Sequence, residues 1–196
     1  MVLIDDKSED KTLNVITNFK KKNSFIRIII NKKKSGQTVC YKKYLLKFTS
    51  DYFIRIDADN QDNPKYLKKM IGLIKNNFDV ILAKRTIRKH SLYMIVLTFL
   101  YDKLIYFLIK EKLETYSSSL GCFKRSFLSF TKLKYNDHRY FPLIAINKGA
   151  RNIKIFQTIH QKRKFGESKY KIINKIFFAV PEFLFFYFRM KRGDFN

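Results

Sequence analysis

The sequence predicts an α/β fold in which a mainly parallel sheet is flanked by helices. Short apolar runs rich in β-branched and aromatic residues alternate along the chain with segments of helical periodicity, the pattern expected of such a sheet. The chain has 196 residues, of which 46% are hydrophobic and 16% aromatic, so it can bury a core within one domain of ordinary size. This composition excludes a basic disordered tail.

The predicted elements follow one another in strand–helix order. Strands are predicted at residues 2–4, 26–30, 52–56, 80–83 and 153–159, and the β-branched run at 26–30 predicts a buried strand. Helices are predicted at 12–20, with Leu13, Ile16 and Phe19 on one face, and at 37–48. Asn63 followed by Pro64 predicts an N-cap and a first helical residue, which open a helix that runs to about residue 76.

Two longer apolar segments lie in the second half of the chain. Residues 92–109 contain the charged pair Asp102-Lys103, which argues against a free membrane span and for a buried or interfacial helix. Residues 176–188 are too short to cross a bilayer, since a helical span takes about 20 residues. Their aromatic content and the basic residues that follow favour a helix at the headgroup level of a membrane, and an amphipathic core helix is the alternative.

The charge of the chain is strongly basic. Lys and Arg number 41 and Asp and Glu number 16, which gives a net charge of +25. Such a chain is expected beside a polyanion, either nucleic acid or an anionic membrane face. The two cysteines, Cys40 and Cys122, are too few for a disulfide framework and lack the spacing of a metal site.

The few acidic residues are clustered. Four of the 16 lie in residues 5–10 and three in residues 57–62. Clustered carboxylates repel one another unless they are solvated or bind a cation, so two solvated acidic turns are the alternative interpretation. The second cluster follows a predicted strand and precedes a predicted helix, which is where ligands bind in open parallel sheets. Asp57, Asp59 and Gln61 supply the oxygen ligands that Mg²⁺ or Mn²⁺ prefer, and such a metal would bridge the phosphates of a nucleotide.

Four sequence blocks carry a family resemblance. Residues 57–64, Asp-Ala-Asp-Asn-Gln-Asp-Asn-Pro, resemble the Asp-Ala-Asp-x-Gln-[Asp/His]-x-Pro signature of family 2 glycosyltransferases. Residues 2–12 resemble the family's Val-x-Asp-Asp-Gly-Ser-x-Asp-x-Thr segment, and Gly36-Gln37 resembles its Gly-Gln step. Residues 160–170, His-Gln-Lys-Arg-Lys-Phe-Gly-Glu-Ser-Lys-Tyr, resemble a block typical of the polyprenyl-phosphate, dolichyl-phosphate mannosyltransferase-like branch.

The resemblance implies a GT-A fold and roles for the matching residues. The nucleotide would be bound by Asp5, Asp6 and Asp57, with Asp6 the favoured base contact. The metal, Mg²⁺ or Mn²⁺, would be held by Asp57, Asp59 and Gln61. The acceptor phosphate would be bound by Arg85, Arg88, Arg163, Ser168 and Lys169, and Asp59, Arg85 and Arg163 would be the catalytic residues. Arginine suits this role because its planar fork matches phosphate geometry.

The implied activity is an inverting, metal-dependent transfer of a hexosyl unit from a nucleotide sugar to a polyprenyl phosphate at the cytosolic membrane face. Residues 1–170 would form the GT-A domain, and 171–196 an apolar, membrane-interfacial segment. The family resemblance also implies a strand and helix before residue 1, so the first strand is expected to be missing and the domain N-terminally incomplete. Lys7 replaces the usual glycine of the Asp-Asp-Gly-Ser turn, where a positive φ is expected.

Three other hypotheses remain open at this stage. The chain could be a family 2 transferase with a glycan acceptor, or an inactive fragment. It could also be a basic nucleic-acid-binding protein, with Lys20–22 and Lys32–34 as phosphate contacts. Against the last hypothesis, the aromatic residues concentrate in apolar runs and no nucleic-acid motif is present.

Overall fold

The computed structural model describes residues 1–85, 92–111, 113, 115, 119–129, 131–134, 136–159 and 172–195. The elements in chain order are β1 (Val2–Asp5), α1 (Thr12–Lys21), β2 (Arg27–Ile30), α2 (Gln37–Lys47), β3 (Tyr52–Arg55), α3 (Lys65–Ile74), β4 (Val80–Arg85), α4 (Leu92–Ile109), β5 (Gly121–Lys124), α5 (Phe141–Asn147), β6 (Ile153–Thr158) and α6 (Ile172–Lys191). They divide into two compact units, the first comprising Met1–Phe48 and Leu133–His138, the second Thr49–Lys132 and Arg139–Asn196. The alternation of strands and helices confirms the predicted α/β class.

The first unit contains a two-stranded parallel sheet. β1 pairs with β2 from Val2 opposite Arg27 to Asp5 opposite Ile30. The helix α1 forms where it is predicted, but it buries none of its residues, and Phe19 is half exposed. The prediction that β2 is fully buried is wrong, since Ile30 is 54% exposed although Ile26 just before the strand is buried. Two strands make too narrow a surface to cover a strand on both faces.

The second unit contains a four-stranded mixed sheet. Its strand order is β3-β5-β4-β6, in which β5 runs antiparallel to both of its neighbours and β4 is parallel to β6. The sequence analysis did not predict β5 or α5. With four residues, β5 is too short to show a clear periodicity.

The core of the second unit lies on both faces of this sheet. On one face Met70 of α3 packs with Ile81, Cys122 and Phe156 from three strands. On the other, Phe53 stacks on Phe123 with ring centroids 5.4 Å apart, and Phe141 of α5 meets both rings edge-on. The predicted strand at 80–83 extends to Arg85, and its first four residues are fully buried.

The two apolar helices each have a buried face and an exposed face. In α4, Tyr101 and Ile105 face inward, and the Tyr101 ring packs against Phe183 of α6. In α6, Phe183 and Phe186 are buried, and Phe186 stacks on Tyr140. The outward, exposed apolar residues are Val96, Phe99, Leu100, Tyr106 and Phe107 on α4, and Phe178, Phe185 and Phe188 on α6. Among the described residues, none of the helices combines the length and apolar character that a membrane span needs.

Candidate donor and acceptor site

The acidic loop lies at the carboxyl end of β3, as predicted. Asp57, Asp59 and Gln61 are all half-buried in the short connection from β3 to α3. Asn60 adopts a left-handed conformation, with φ of 58°, which an asparagine tolerates better than most residues. In the resulting turn the Asp59 Oδ1 atom accepts the backbone N–H of Gln61 at 3.2 Å. The sequence thus folds one carboxylate back over the loop while leaving it partly open to solvent.

A partly buried hydrogen bond ties the end of this loop to the segment just before β5. Asp62 is 3% exposed, and its Oδ2 atom accepts the hydroxyl of Ser119 at 2.6 Å. Ser119 lies two residues before β5, so the loop is connected to an inner strand of the sheet. The sequence analysis assigned no role to Ser119.

The ends of three strands meet at the same edge of the sheet. β3 and β4 each run antiparallel to β5 and are therefore parallel to each other, and β6 is parallel to β4. Their carboxyl ends lead into the acidic loop, into the basic run that begins with Lys84-Arg85, and into the block that begins at His160. With strands about 4.8 Å apart, β3 and β4 lie roughly 10 Å apart across this edge.

Most of the predicted acceptor residues fall beyond what the structure describes. The backbone of Arg85 ends β4 opposite Thr158, but its side chain lies outside the described part of the chain. Arg88, Arg163, Ser168 and Lys169 also lie outside the described residues. The last described residue before the His160 block is held in place, because the backbone N–H of Ile159 donates to the Tyr66 hydroxyl of α3 at 3.0 Å.

The first acidic cluster belongs to the first unit and follows β1. The Asp6 carboxylate is hydrogen-bonded within its own unit. It accepts hydrogen bonds from Asn31 Nδ2 at 2.7 Å and from the backbone N–H groups of Ser35 and Gly36 at 2.9 and 2.7 Å. Burial alone would raise the pKa of Asp6, but these hydrogen bonds outweigh it and leave the pKa below its ordinary value. Asp6 therefore organises the connection from β2 to α2.

Asp5 has a different environment. It is 4% exposed, and its Oδ2 atom accepts the backbone N–H of Ser8 at 3.1 Å. Its Oδ1 atom is buried and has no hydrogen-bond partner among the described residues. A buried carboxylate oxygen without a donor is energetically costly. Asp5 and Asp6 therefore differ in their hydrogen bonding, and the predicted nucleotide contacts of both residues, with Asp6 favoured for the base, stay a prediction.

The acidic loop has the donor chemistry of a shared metal site. Among the described residues, no group of three or more His, Cys, Asp or Glu side chains is arranged to hold a metal ion. Two carboxylates and the Gln61 amide oxygen are nonetheless ligands of the kind that Mg²⁺ takes when substrate phosphates and waters complete its shell. The loop therefore fits a metal held jointly with a diphosphate.

A buried arginine lies two residues before the loop and was not predicted. Arg55 is 5% exposed, and its guanidinium lies 5.6 Å from the ring centre of Phe123 and 5.2 Å from that of Phe141. Two aromatic faces thus hold a positive charge in the core of the second unit. In the sequence, Arg55 could have been noticed as an arginine within a strand whose other residues are apolar or aromatic.

A comparison with models of protein families identifies the family of this chain. Residues 1–138 match the model of glycosyl transferase family 2. The chain belongs to this family. The match includes the acidic cluster at 5–10, the loop at 57–62 and the strands that carry both.

Two curated relatives belong to the polyprenyl-phosphate branch. The chain is 24% identical to the undecaprenyl-phosphate 4-deoxy-4-formamido-L-arabinose transferase of Photorhabdus laumondii, covering 90% of this chain and 55% of that protein. It is 23% identical to the enzyme of the same name from Klebsiella pneumoniae, covering 90% of this chain and 54% of that protein. The chain thus spans about half the length of these relatives.

Solved structures show the same fold. Glucosyl-3-phosphoglycerate synthase from Mycobacterium tuberculosis, in complex with Mn²⁺ and uridine-diphosphate-glucose, superposes with a TM-score of 0.63 and 14% identity over 95% of this chain and 67% of that one. TarS of S. aureus, residues 1–349, gives a TM-score of 0.56 and 20% identity over 81% of this chain and 49% of that one. The expected GT-A fold of the family 2 chain is confirmed.

Proposed function

We propose that this family 2 chain transfers one glycosyl unit from a nucleotide sugar to a polyprenyl phosphate, with a divalent metal and with inversion at the anomeric carbon. The observation that carries the proposal is the single sheet edge at which β3, β4 and β6 end. One of these strands leads into a carboxylate loop and the other two lead into basic runs. Such an edge suits a reaction that joins a metal-bound diphosphate to an anionic acceptor.

The curated relatives support the choice of acceptor. Both are named for transfer to undecaprenyl phosphate, and the sugar in their names is an arabinose derivative. The sequence analysis predicts a hexosyl unit, whereas arabinose is a pentose. The proposal therefore names the acceptor, a polyprenyl phosphate, and leaves the transferred sugar as either a hexose or a pentose derivative.

On the donor side, the residues of the acidic loop bind and orient the leaving group. Asp57, Asp59 and Gln61 would hold Mg²⁺ or Mn²⁺, which neutralises the negative charge that develops on the departing nucleoside diphosphate. Asp5 and Asp6 of the first unit are the proposed contacts to the nucleotide. The Ser119–Asp62 hydrogen bond keeps the loop in register with the sheet while these contacts form.

On the acceptor side, the basic residues orient the attacking phosphate. The proposed ligands are Arg85, Arg88, Arg163, Ser168 and Lys169. A phosphate monoester has a second pKa of about 6, so it is mostly dianionic at neutral pH and needs no strong general base. Catalysis then depends on positioning, with Arg85 and Arg163 aligning the phosphate oxygen with the anomeric carbon.

The proposed location is the cytosolic face of a membrane, where a polyprenyl phosphate is accessible. The exposed aromatic residues of α4 and α6 support this location, since interfacial helices place aromatic rings at the headgroup level. The net charge of +25 would add attraction to anionic lipids. The predicted interfacial segment at 171–196 contains the whole of α6, although one face of that helix is also part of the core.

Transfer of labelled sugar into an organic-extractable product tests the function. The chain is incubated with Mn²⁺, undecaprenyl phosphate and labelled nucleotide sugars, and the lipid phase is counted. Asp59→Asn is expected to lower this transfer by at least about a hundredfold, because it weakens the ligand set for the metal–diphosphate. The matched control is Glu111→Gln, which removes one exposed carboxylate elsewhere and should leave transfer unchanged. Equal transfer by wild type and Asp59→Asn would contradict the mechanism.

A further inference from the structure

A cavity lies in the second unit at the opposite end of β3 from the acidic loop. Its volume is about 670 Å³, within the usual range of small-molecule sites of about 300–1,000 Å³. Tyr52, the first residue of β3, and Lys124, the last residue of β5, are paired across the sheet and both line it. The acidic loop lies beyond Arg55, at the other end of the same strand. The cavity is therefore separate from the proposed donor site.

The lysine of this cavity is fixed in place and charged. Lys124 Nζ donates to Asp79 Oδ1 at 2.8 Å, and Asp79 also accepts the backbone N–H groups of Arg151 and Asn152 at 3.0 Å. The hydrogen bond to Asp79 raises the pKa of Lys124, so its ammonium persists throughout the neutral range. The ammonium carries three donors, and its side-chain partners are the Asp79 carboxylate and the Tyr52 hydroxyl, which leaves one donor for a ligand.

The neighbouring arginine is available to a ligand. The backbone N–H of Arg125 donates to the Asp51 carbonyl at 2.7 Å, which fixes the start of its side chain. The guanidinium is half-buried and makes no ion pair within the described part of the chain. Ser126 and Ser129 add hydroxyl groups to the same wall.

Hydrogen-bond donors outnumber acceptors in the lining. Lys124, Arg125 and the two serines all donate, and the side-chain amide of Asn77 adds two N–H groups because its Oδ1 atom accepts the Tyr52 hydroxyl at 3.2 Å. The carboxylate in the lining is that of Asp51, which is exposed. A donor-rich wall with two cations favours an oxyanion.

We propose that this cavity binds a soluble, phosphate-bearing small molecule. The phosphate would accept hydrogen bonds from the Arg125 fork, from Lys124 Nζ and from the serine hydroxyls, and the rest of the ligand would occupy the remaining volume. The proposal goes beyond the transfer reaction and does not depend on it, because no residue of the cavity belongs to the proposed donor or acceptor sets.

Calorimetric titration of the full chain tests the proposal, with inorganic phosphate and glycerol 3-phosphate as probes in a chloride buffer. Arg125→Ala is expected to weaken binding of both probes at least tenfold, since it removes the charge-assisted hydrogen bonds of the guanidinium to the phosphate. Ser126→Asp, at an exposed position, should abolish binding by placing a negative charge at the entrance. Lys154→Ala removes an exposed positive charge on β6 and should leave the affinity within about twofold.

Two further variants separate this cavity from the proposed transfer site. Asp59→Asn and Arg163→Ala should both retain the Arg125-dependent binding of phosphate, whatever they do to sugar transfer. The proposal is overturned if wild type binds neither probe, or if Lys154→Ala weakens binding as much as Arg125→Ala does. It is also overturned if a short-chain phosphatidate binds more tightly than glycerol 3-phosphate, since the site would then prefer a lipid.

Discussion

Lys7 occupies a backbone conformation that suits glycine. Its φ is 60°, in the left-handed region, at the position where the family's acidic segment normally carries glycine. A side chain in this region costs roughly 1 kcal/mol, because its Cβ approaches the backbone too closely. We therefore expect Lys7→Gly to raise the free energy of unfolding of the first unit by about 0.5–1 kcal/mol, as measured by urea denaturation.

A second lysine-to-glycine change is the control for this effect. Lys21 ends α1 with helical backbone angles, so Lys21→Gly should lower stability, by up to about 1 kcal/mol, through the poor helix propensity of glycine. A loss of stability in both variants would show that Lys7 is not strained.

The chemistry of single residues was partly accessible from sequence. The position of Asp57, Asp59 and Gln61 after a strand could be predicted, because strand, turn and helix signals are local. The different environments of Asp5 and Asp6 could not, because they depend on hydrogen bonds from residues 25 to 30 positions away.

At the scale of elements, the start of β5 depends on a glycine. A Cβ atom built on Gly121 would lie 2.9 Å from the buried ring of Phe123 and 3.5 Å from Leu82. Since that ring is fully buried between Phe53 and Phe141, it has little room to move. Gly121→Ala is expected to lower the free energy of unfolding of the second unit by about 1–3 kcal/mol through overpacking, as measured by urea denaturation.

Gly72 in α3 provides the matched substitution. A Cβ atom there would meet no atom within 4 Å, so Gly72→Ala should raise stability by up to about 1 kcal/mol through helix propensity. If Gly121→Ala were as stable as wild type, the close packing around the start of β5 would be refuted.

Most of the predicted strands and helices are confirmed, because the sequence pattern that predicts each one lies within a stretch of about ten to fifteen residues. The strands β3, β4 and β6 are apolar and rich in β-branched residues or aromatics, and α3 begins one residue after the predicted Pro64. The burial of β2 was predicted wrongly because burial depends on neighbouring strands. The antiparallel insertion of β5 between β3 and β4 is likewise a property of the whole sheet, which a four-residue apolar run does not encode.

At the scale of the whole molecule, charge and exposed apolar surface act together. The chain carries +25 charges, and α4 presents large apolar side chains that its own unit does not cover. Charge alone would be compatible with a nucleic acid. The combination with exposed aromatic residues on helices favours an anionic bilayer, because basic residues are attracted to its headgroups while the rings enter its interfacial layer.

Sedimentation with lipid vesicles tests the proposed contact of α4 with a membrane. Phe107 is 76% exposed on α4, and Phe107→Ser should weaken binding to vesicles rich in anionic lipid about tenfold or more, since burying a phenylalanine contributes about 1.5–3 kcal/mol. Phe25, which is 63% exposed in the first unit, serves as the control, and Phe25→Ser should bind as wild type does. Binding should also weaken as salt rises from about 0.1 to 1 M, over which the Debye length falls from about 10 to 3 Å. Equal losses in both variants would show that exposed aromatics contribute without regard to position, and the assignment of α4 to the membrane would fail.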